Sequence, residues 1–235
     1  MQGNKIIVIV GPTAVGKSAF AVQLAKKING EVISADSRQV YIGLDIGTGK
    51  ITKKEMRGVK HHLLDVADPK KQFSVVKYVE LAEKAIDDIY LRNKIPIICG
   101  GTGFYIQALV DGIILPDVPP NKDLRKKLAK KSAEELFKIL MKLDSKRAKN
   151  IDPRNPRRII RAIEIATVLG KVPALKKSHK YDAEFIGLNS PSEELKNKIK
   201  IRLVKRLEQG MIKEAENLHK NRLSWKRMDE LGLEY

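Results

Sequence analysis

Lys5-Ile6-Ile7-Val8-Ile9-Val10 runs directly into Gly11-Pro12-Thr13-Ala14-Val15-Gly16-Lys17-Ser18. The first six residues, apolar after Lys5 and rich in β-branched side chains, predict a buried strand. The next eight match the P-loop pattern of a glycine, four residues and then Gly-Lys-Ser, and a helix is expected to follow. Each part has a physical reason. Gly11 and Gly16 permit backbone angles and close approaches that a side chain would block. Backbone N–H groups turn inward toward an anion, and the following helix adds the positive end of its dipole. Lys17 carries a mobile charge to the outer phosphates, and the Ser18 hydroxyl can ligate magnesium. The stretch therefore reads as a binding loop for a diphosphate or triphosphate. It does not say which one, or what chemistry follows.

The remaining composition narrows the class. A chain of 235 residues with 43% apolar content is long enough for a sizeable core in one or two domains. Its apolar runs, Lys5–Val10 among them, are far too short to cross a bilayer. Met1 leads almost directly into the first strand, which argues against a signal peptide. The one cysteine, Cys99, excludes an intramolecular disulfide and fits a reducing, cytoplasmic setting. It lies in an apolar run and reads as a small core residue. The net charge of +18 is uneven: residues 1–115 carry 16 Lys+Arg against 11 Asp+Glu, and residues 116–235 carry 30 against 17. A polyanionic partner such as nucleic acid and a generic lysine-rich surface both account for that excess.

Further along, residues 17–28 predict the P-loop helix, closed by Asn29-Gly30. Residues 31–36, Glu-Val-Ile-Ser-Ala-Asp, predict a second strand whose carboxylate, Asp36, falls at the carboxyl end of a parallel sheet beside the P-loop. Residues 61–65 suggest a third strand. Its two histidines point to opposite faces and read as structural, not as a metal pair. Ser74 caps a helix running to about residue 93. Ile95–Cys99 is another buried strand, ending in Gly100-Gly101-Thr102-Gly103 at the same mouth, with Thr102 facing the crevice. A linker at 116–120 leads to lysine-rich helices over 121–131 and 133–143. A third helix, capped by Asn155-Pro156, ends at Gly170. Phe185–Leu188 predicts one more core strand. Ser190, Pro191 and Glu193 resemble a capping box opening a last helix, on which Leu195, Ile199, Leu203 and Leu207 form an inward stripe with Arg202 along it. An inward arginine needs an anionic partner, either a core acid or a bound diphosphate.

The expected fold is α/β: a P-loop NTPase-like core with a parallel sheet flanked by helices, over 1–115 and 181–235, plus an all-helical insertion domain at 116–180.

Gly-Pro-Thr-Ala-Val-Gly-Lys-Ser at 11–18, Ser-Ala-Asp-Ser-Arg-Gln-Val-Tyr at 34–41 and Asp-Ile-Gly-Thr at 45–48 recur together with His-His-Leu at 61–63, Gly-Gly-Thr-Gly-Phe-Tyr at 100–105 and Arg-Ile-Ile-Arg-Ala-Ile-Glu at 158–164. In that order they resemble the tRNA dimethylallyltransferases, also called tRNA isopentenyltransferases. The resemblance implies transfer of a dimethylallyl group from dimethylallyl diphosphate to N6 of the adenosine beside the tRNA anticodon, with Mg2+ at Ser18. It implies Asp36 as general base, Thr102 near the bridging oxygen, and Lys17 and Arg202 on the leaving diphosphate. Ser37, Arg38 and Gln39 match the loop that receives the flipped adenine, in contact with the tRNA together with Asp36 and Thr102. Arg125, Arg157, Arg158, Ile159, Ile160 and Arg161 match positions that contact the anticodon stem-loop. The implied protein is a monomer with no membrane attachment. Family members run several tens of residues beyond Gly232-Leu233-Glu234-Tyr235, with helices that grip the anticodon stem. That departure bears on tRNA affinity more than on the diphosphate site.

Two other classes fit the P-loop. A small-molecule or nucleotide kinase using ATP would carry a strand ending in a Walker B aspartate, which Val32–Asp36 matches weakly, and has no need of the basic second half. An RNA-binding module with a dead site would have lost Asp36 or Thr102, and both are present.

Overall fold

The apolar runs become strands. In the computed structural model, which describes residues 4–232, β1 (Lys5–Val10) is followed by α1 (Lys17–Ile28), β2 (Gly30–Ser34), α2 (Lys53–Met56), β3 (His61–His62) and α3 (Val75–Leu91). Then come β4 (Ile95–Cys99), α4 (Gly103–Val110), α5 (Lys122–Leu128), α6 (Ala133–Leu143), α7 (Ser145–Ala148) and α8 (Pro156–Leu169). The described chain ends with β5 (Asp182–Gly187), α9 (Ser192–Glu208), α10 (Met211–Lys220) and α11 (Trp225–Leu231). Met1 and the segment 233–235, on which two of the sequence expectations fall, lie outside the described residues. The chain divides into two compact units, Met1–Ile113 with Lys177–Tyr235, and Ile114–Lys176.

In the first unit all five strands are parallel, in the order β3-β2-β4-β1-β5. Alternate residues serve opposite faces of the sheet, so both faces need an apolar cover. Ile6 and Val8 of β1, Ile33 of β2 and Ile98 of β4 pack with Tyr78, Ala82 and Ile86 of α3 and Ile106 and Leu109 of α4. Ile7, Ile9, Val32, Ile97 and Cys99 face the other way, against Ala21 and Ala25 of α1. Cys99 is thus a buried core residue, and burial pushes its thiol up to about 12.

Several boundaries differ from expectation for local reasons. Asn29 itself, at φ 54°, is the left-handed cap of α1, and Gly30 already begins β2. β3 stops at His62 because Leu63 and Asp65 turn left-handed, at φ 62° and 56°. β5 begins at Asp182 and, among the described residues, is an edge strand pairing only with β1, which leaves Phe185 55% exposed. The expected capping box of α9 does not form, since Pro191 is its N-cap and no side chain caps it. Its apolar stripe is not core either: Ile199, Leu203 and Leu207 are 39%, 49% and 44% exposed. The helix is not the last one. On α11, Met228 and Leu231 join Leu223 in a further core with Val40, Tyr41 and Leu44.

The second unit is a helical bundle whose core contains Leu128, Leu136, Leu140, Ile159 and Ile163. Ser132 and Glu135 close a capping box on α6, and Asn155 caps α8 with Pro156 at its first position. The two ends of the unit meet where the Ile114 N–H donates to the Lys176 carbonyl at 3.0 Å. Its hub is Glu164 on α8, only 1% exposed. Arg125 of α5 forks onto both carboxylate oxygens, each at 2.7 Å, and the Asn121 N–H adds 2.8 Å. Arg161 donates to the Val118 carbonyl at 2.8 Å and to Glu164 at 3.4 Å. Burial alone would raise the Glu164 carboxyl; the Arg125 fork and the Asn121 N–H outweigh it and hold it below the usual value.

A second buried carboxylate, Glu31, stitches the far end of the sheet. It accepts from Lys94 at 2.8 Å, Arg92 at 2.7 Å and His62 at 2.7 Å. Burial opposes ionisation, but these three donors bring its pKa down to about 2. A depressed carboxyl contributes stability above its unfolded pKa of 4.5, and the contribution fades as pH falls toward about 2. Glu31→Gln is therefore expected to lower urea-unfolding stability at pH 7 by about 1–3 kcal/mol. The gap between the two proteins should close progressively below pH 4.5. In the second unit, Arg125→Ala is expected to cost on the order of 2 kcal/mol, since Asn121 and Arg161 still serve the buried Glu164. Exposed Arg158→Ala should cost less than about 0.5 kcal/mol in the same assay.

Candidate functional site

The carboxyl ends of β1, β2 and β4 open into a cleft of about 830 Å³. The P-loop makes its first wall. Gly11 must be glycine, because a side chain there would collide with the Leu188 carbonyl. Gly16, left-handed at φ 99°, is the N-cap of α1; no side chain caps the first N–H groups of the helix, and Gly16, Lys17, Ser18 and Ala19 line the cleft. Lys17 folds back on the loop, its Nζ donating to the Gly11 and Pro12 carbonyls at 2.8 and 2.7 Å. Burial lowers its pKa, the neighbouring Arg202 adds to that shift, and Asp36 opposes it. An arriving anion would favour the charged form of the lysine.

The second wall is main chain. A side chain at Gly100 would strike the Ala35 carbonyl, so the ends of β2 and β4 touch only because residue 100 is glycine. The Ala35 N–H donates to the Cys99 carbonyl at 2.9 Å, and the Thr102 N–H to the Ala35 carbonyl at 3.0 Å. Asp36 follows directly. Its Oδ1 accepts from the Arg38 and Gln39 N–H groups at 2.9 and 3.3 Å, an Asx turn that fixes the carboxylate in the cleft wall. Thr102 lies just beyond the wall formed by Gly100 and Gly101. Its hydroxyl accepts from the Ser37 N–H at 2.9 Å, so it ties the Asp36 turn to the start of α4.

The third wall was only partly foreseen. Arg202 is on the cleft side of α9, its Nη2 donating to Thr13 Oγ1 at 2.8 Å. This bond goes to a P-loop hydroxyl and not to a core acid. Lys198, Ile201, Lys205 and Arg206 of the same helix line the cleft, as do Thr48, Gly49, Ile51, Glu55 and Arg57. Arg206, Thr48 and Gly49 were missed by sequence reasoning. Arg206 lies one helical turn after Arg202, and that i, i+4 spacing was the available signal. Cations outnumber carboxylates along these walls, with Lys17, Arg38, Arg57, Lys198, Arg202, Lys205 and Arg206 set against Asp36 and Glu55. Such a cleft attracts a polyanion.

The positions expected to contact RNA in the second unit separate into two groups. Arg157 and Arg158 are exposed at the start of α8, and Ile160 is half-buried. Ile159 is fully buried in the helical core, so its side chain is not available to a partner. Arg125 and Arg161 are engaged by Glu164. The helical spacing that clusters 157, 158 and 161 does not reveal the buried acid three residues further on.

The IPP transferase family model matches residues 39–234. The tRNA dimethylallyltransferase of Anoxybacillus flavithermus is 43% identical over 227 residues, covering 94% of this chain and 73% of its own. The tRNA dimethylallyltransferase 2 of Treponema denticola is 43% identical over 241 residues, covering 97% and 78%. The crystal structure of the tRNA isopentenylpyrophosphate transferase of Bacillus halodurans superposes with a TM-score of 0.66 at 42% identity, over 93% of this chain and 71% of that one. A eukaryotic dimethylallyltransferase captured acting on tRNA gives a TM-score of 0.81 at 33% identity, over 93% and 56%. The P-loop that decides the fold precedes the matched range of the family model, yet the turn at 39–41, the Gly-Gly-Thr-Gly mouth and the cationic helix α9 all fall within it. By that match and these relatives, the chain belongs to the IPP transferase family, the tRNA dimethylallyltransferases.

Proposed function

We propose that this chain is a tRNA-modifying prenyltransferase that moves a dimethylallyl group from dimethylallyl diphosphate to N6 of the adenosine adjacent to the anticodon, releasing diphosphate. The single observation that carries the reading is that one cleft holds an anion-binding loop with Lys17 and a fixed carboxylate, Asp36. The relatives' shared name supports it and disfavours the kinase alternative.

The chemistry follows from these groups. The adenine N6 forms a bond to C1 of the dimethylallyl group while the bond from C1 to the diphosphate oxygen breaks. Negative charge grows on the departing diphosphate, where P-loop N–H groups, Lys17 and Arg202 stabilise it. The proton lost from N6 passes to the Asp36 carboxylate. Oδ1 of Asp36 is already engaged by two N–H groups, which leaves Oδ2 for the proton. Thr102 holds the turn that carries Asp36; its role near the bridging oxygen rests on the family resemblance. A base within a loop must be extruded to reach this cleft, and Arg38 and Gln39, next to Ser37, line its wall. Arg157 and Arg158 contribute phosphate contacts that position the RNA without reading its sequence.

Magnesium fits the donors available. Among the described residues there is no cluster of three or more His, Cys, Asp or Glu to hold a metal. A magnesium ion typically keeps several waters and takes one or two protein ligands beside phosphate oxygens. The Ser18 hydroxyl, at the cleft wall, would supply one such ligand. Bound there, the ion would offset charge on the diphosphate. Among the described residues no helix is long and apolar enough to cross a membrane.

Asp36→Asn keeps an oxygen for the Arg38 and Gln39 N–H groups, so the turn should persist. The variant is expected to lose about 10²–10⁴-fold in single-turnover transfer of labelled prenyl to an anticodon stem-loop. Diphosphate affinity should change by less than about threefold, because the P-loop interactions remain. Near wild-type turnover would remove Asp36 from the mechanism. Replacing exposed Arg157 and Arg158 by alanine should weaken RNA binding and flatten its dependence on salt, by about one unit of log–log slope for each phosphate no longer paired. Titrations at several salt concentrations measure that slope directly, and an unchanged slope would show a merely solvated face.

A further inference from the structure

The segment 45–49 has no helix or strand, yet three of its N–H groups and its Gly47 carbonyl are held by side chains at least 159 residues away in sequence. Glu214, in the first turn of α10, accepts three consecutive N–H groups: Asp45 at 3.0 Å and Ile46 at 2.8 Å through Oε2, and Gly47 at 3.0 Å through Oε1. Successive amides of this kind form an anion-binding concavity, filled here by the chain's own carboxylate. Arg206 grips the other side. It is 9% exposed on a helix whose other residues are exposed or half-buried, and its Nη1 donates to the Gly47 carbonyl at 2.8 Å. Its guanidinium lies so close over Gly49 that a side chain at 49 would collide with it.

Two further carbonyls of the segment, Thr48 and Gly49, lie 3.5 and 3.4 Å from Nε2 of Gln39, which donates to both. Gln39 is the residue whose own N–H reaches Asp36, and its side chain lines the cleft. With Nε2 held by the segment, the carboxamide oxygen Oε1 is turned the other way. A continuous hydrogen-bonded path therefore runs from α10 and α9, through 45–49, to Gln39 and the Asp36 turn.

We propose that Glu214 and Arg206 are positioning residues: they fix segment 45–49 and through it set the Gln39 carboxamide on the side of the cleft that receives the acceptor base. The inference rests on the transfer reading given for Asp36 and Gln39, and it deepens that reading by adding the two residues that hold the base-receiving turn in register. A donor N–H on the base edge is the group that the Gln39 Oε1 suits. The P-loop is tied to α9 by a different residue, Arg202, so loosening 45–49 should leave the diphosphate side intact.

Glu214→Gln keeps the size of the side chain and removes one accepting oxygen along with the charge. Expected are a rise of at least about tenfold in KM for an anticodon stem-loop and about tenfold faster hydrogen exchange at the Ile46 and Gly47 amides. Inorganic diphosphate should bind within about twofold of wild type, and exchange at the Thr102 amide, bonded to Ala35, should not move. Arg206→Met removes the donor while filling the space over Gly49, and should shift KM for RNA in the same direction, with partial rescue by Arg206→Lys. The double variant should fall short of the sum of the single effects, since both side chains hold one segment. Faster exchange at residues 46 and 47 with an unchanged KM for RNA would overturn the proposal, and so would a parallel loss of diphosphate affinity. Should the wild-type chain transfer no prenyl group, the transfer reading fails by itself. The clamp is then decided by exchange and stem-loop affinity: changes in both sustain it, and an unchanged value of either overturns it.

Discussion

A close approach between two strand ends governs the chemistry. Gly100 abuts the Ala35 carbonyl, and two backbone hydrogen bonds, Ala35 to Cys99 and Thr102 to Ala35, lock the ends of β2 and β4 together. Asp36 and Thr102, the proposed base and its partner, follow on either side of this approach, and the bond from the Ser37 N–H to the Thr102 hydroxyl closes the ring. The carboxylate and the hydroxyl are thus placed by main-chain geometry, which is stiffer than the packing of two flexible side chains. Because β4 also pairs with β1, the same approach fixes both groups relative to the P-loop at the end of β1. A residue with a Cβ at 100 would have to spread β2 from β4, and the error would pass to the acid and the anion site together.

Electrostatics then divides the cleft into a cationic side around Lys17 and Arg202 and a carboxylate side at Asp36. Lys17 is held by two carbonyls of its own loop, which partly replace water around a half-buried ammonium. Those carbonyls are dipoles and do not neutralise the charge, and Arg202 close by raises the cost of keeping both cations together. An oxyanion between them relieves that repulsion, and does so more strongly as its charge increases. This is the differential that a departing diphosphate requires. Asp36 presents the opposite sign, yet two backbone N–H groups on Oδ1 keep its orientation independent of Lys17.

How much of this was legible follows from where the signal resides. The P-loop, α1, β4, α6 and α8 were readable because glycine, cap and periodicity signals are local and agree with one another. Asp36 and Thr102 were readable as strand-end residues of a parallel sheet. The errors share a cause, which is tertiary context. The apolar stripe on α9 has the right period for a core face, but its buried residue is the arginine at 206, and Leu203 and Leu207 remain half exposed. Phe185 has the character of a core residue but falls on an edge strand. On α8, the core-facing position of Ile159 and Ile163 was readable from the helical period, but the pairing of Arg125 and Arg161 with the buried Glu164 was not. A buried acid inside an amphipathic pattern looks like a solvated one until its partners are known.

The net charge carries the same lesson in quantitative form. In the sequence, the excess in residues 116–235 fits a polyanion-binding surface and a generic lysine-rich surface alike. In the structure it is partitioned by what each cation faces. Arg125 and Arg161 neutralise Glu164 and hold α5 to α8, so they add little to a long-range field. Lys198, Arg202 and Lys205 belong to α9 and line a cleft with the P-loop, where their charges converge at short range, while Arg206 of the same helix is turned onto the Gly47 carbonyl. Arg157, Arg158 and the exposed lysines remain for interactions that are screened by salt. A single sum over the sequence therefore merges three roles with different ionic-strength dependence. The structural pairs are the least sensitive to salt, the cleft cations more so, and those on the open surface the most. Local surroundings are what sort a lysine-rich and arginine-rich sequence into scaffold, cleft and open surface.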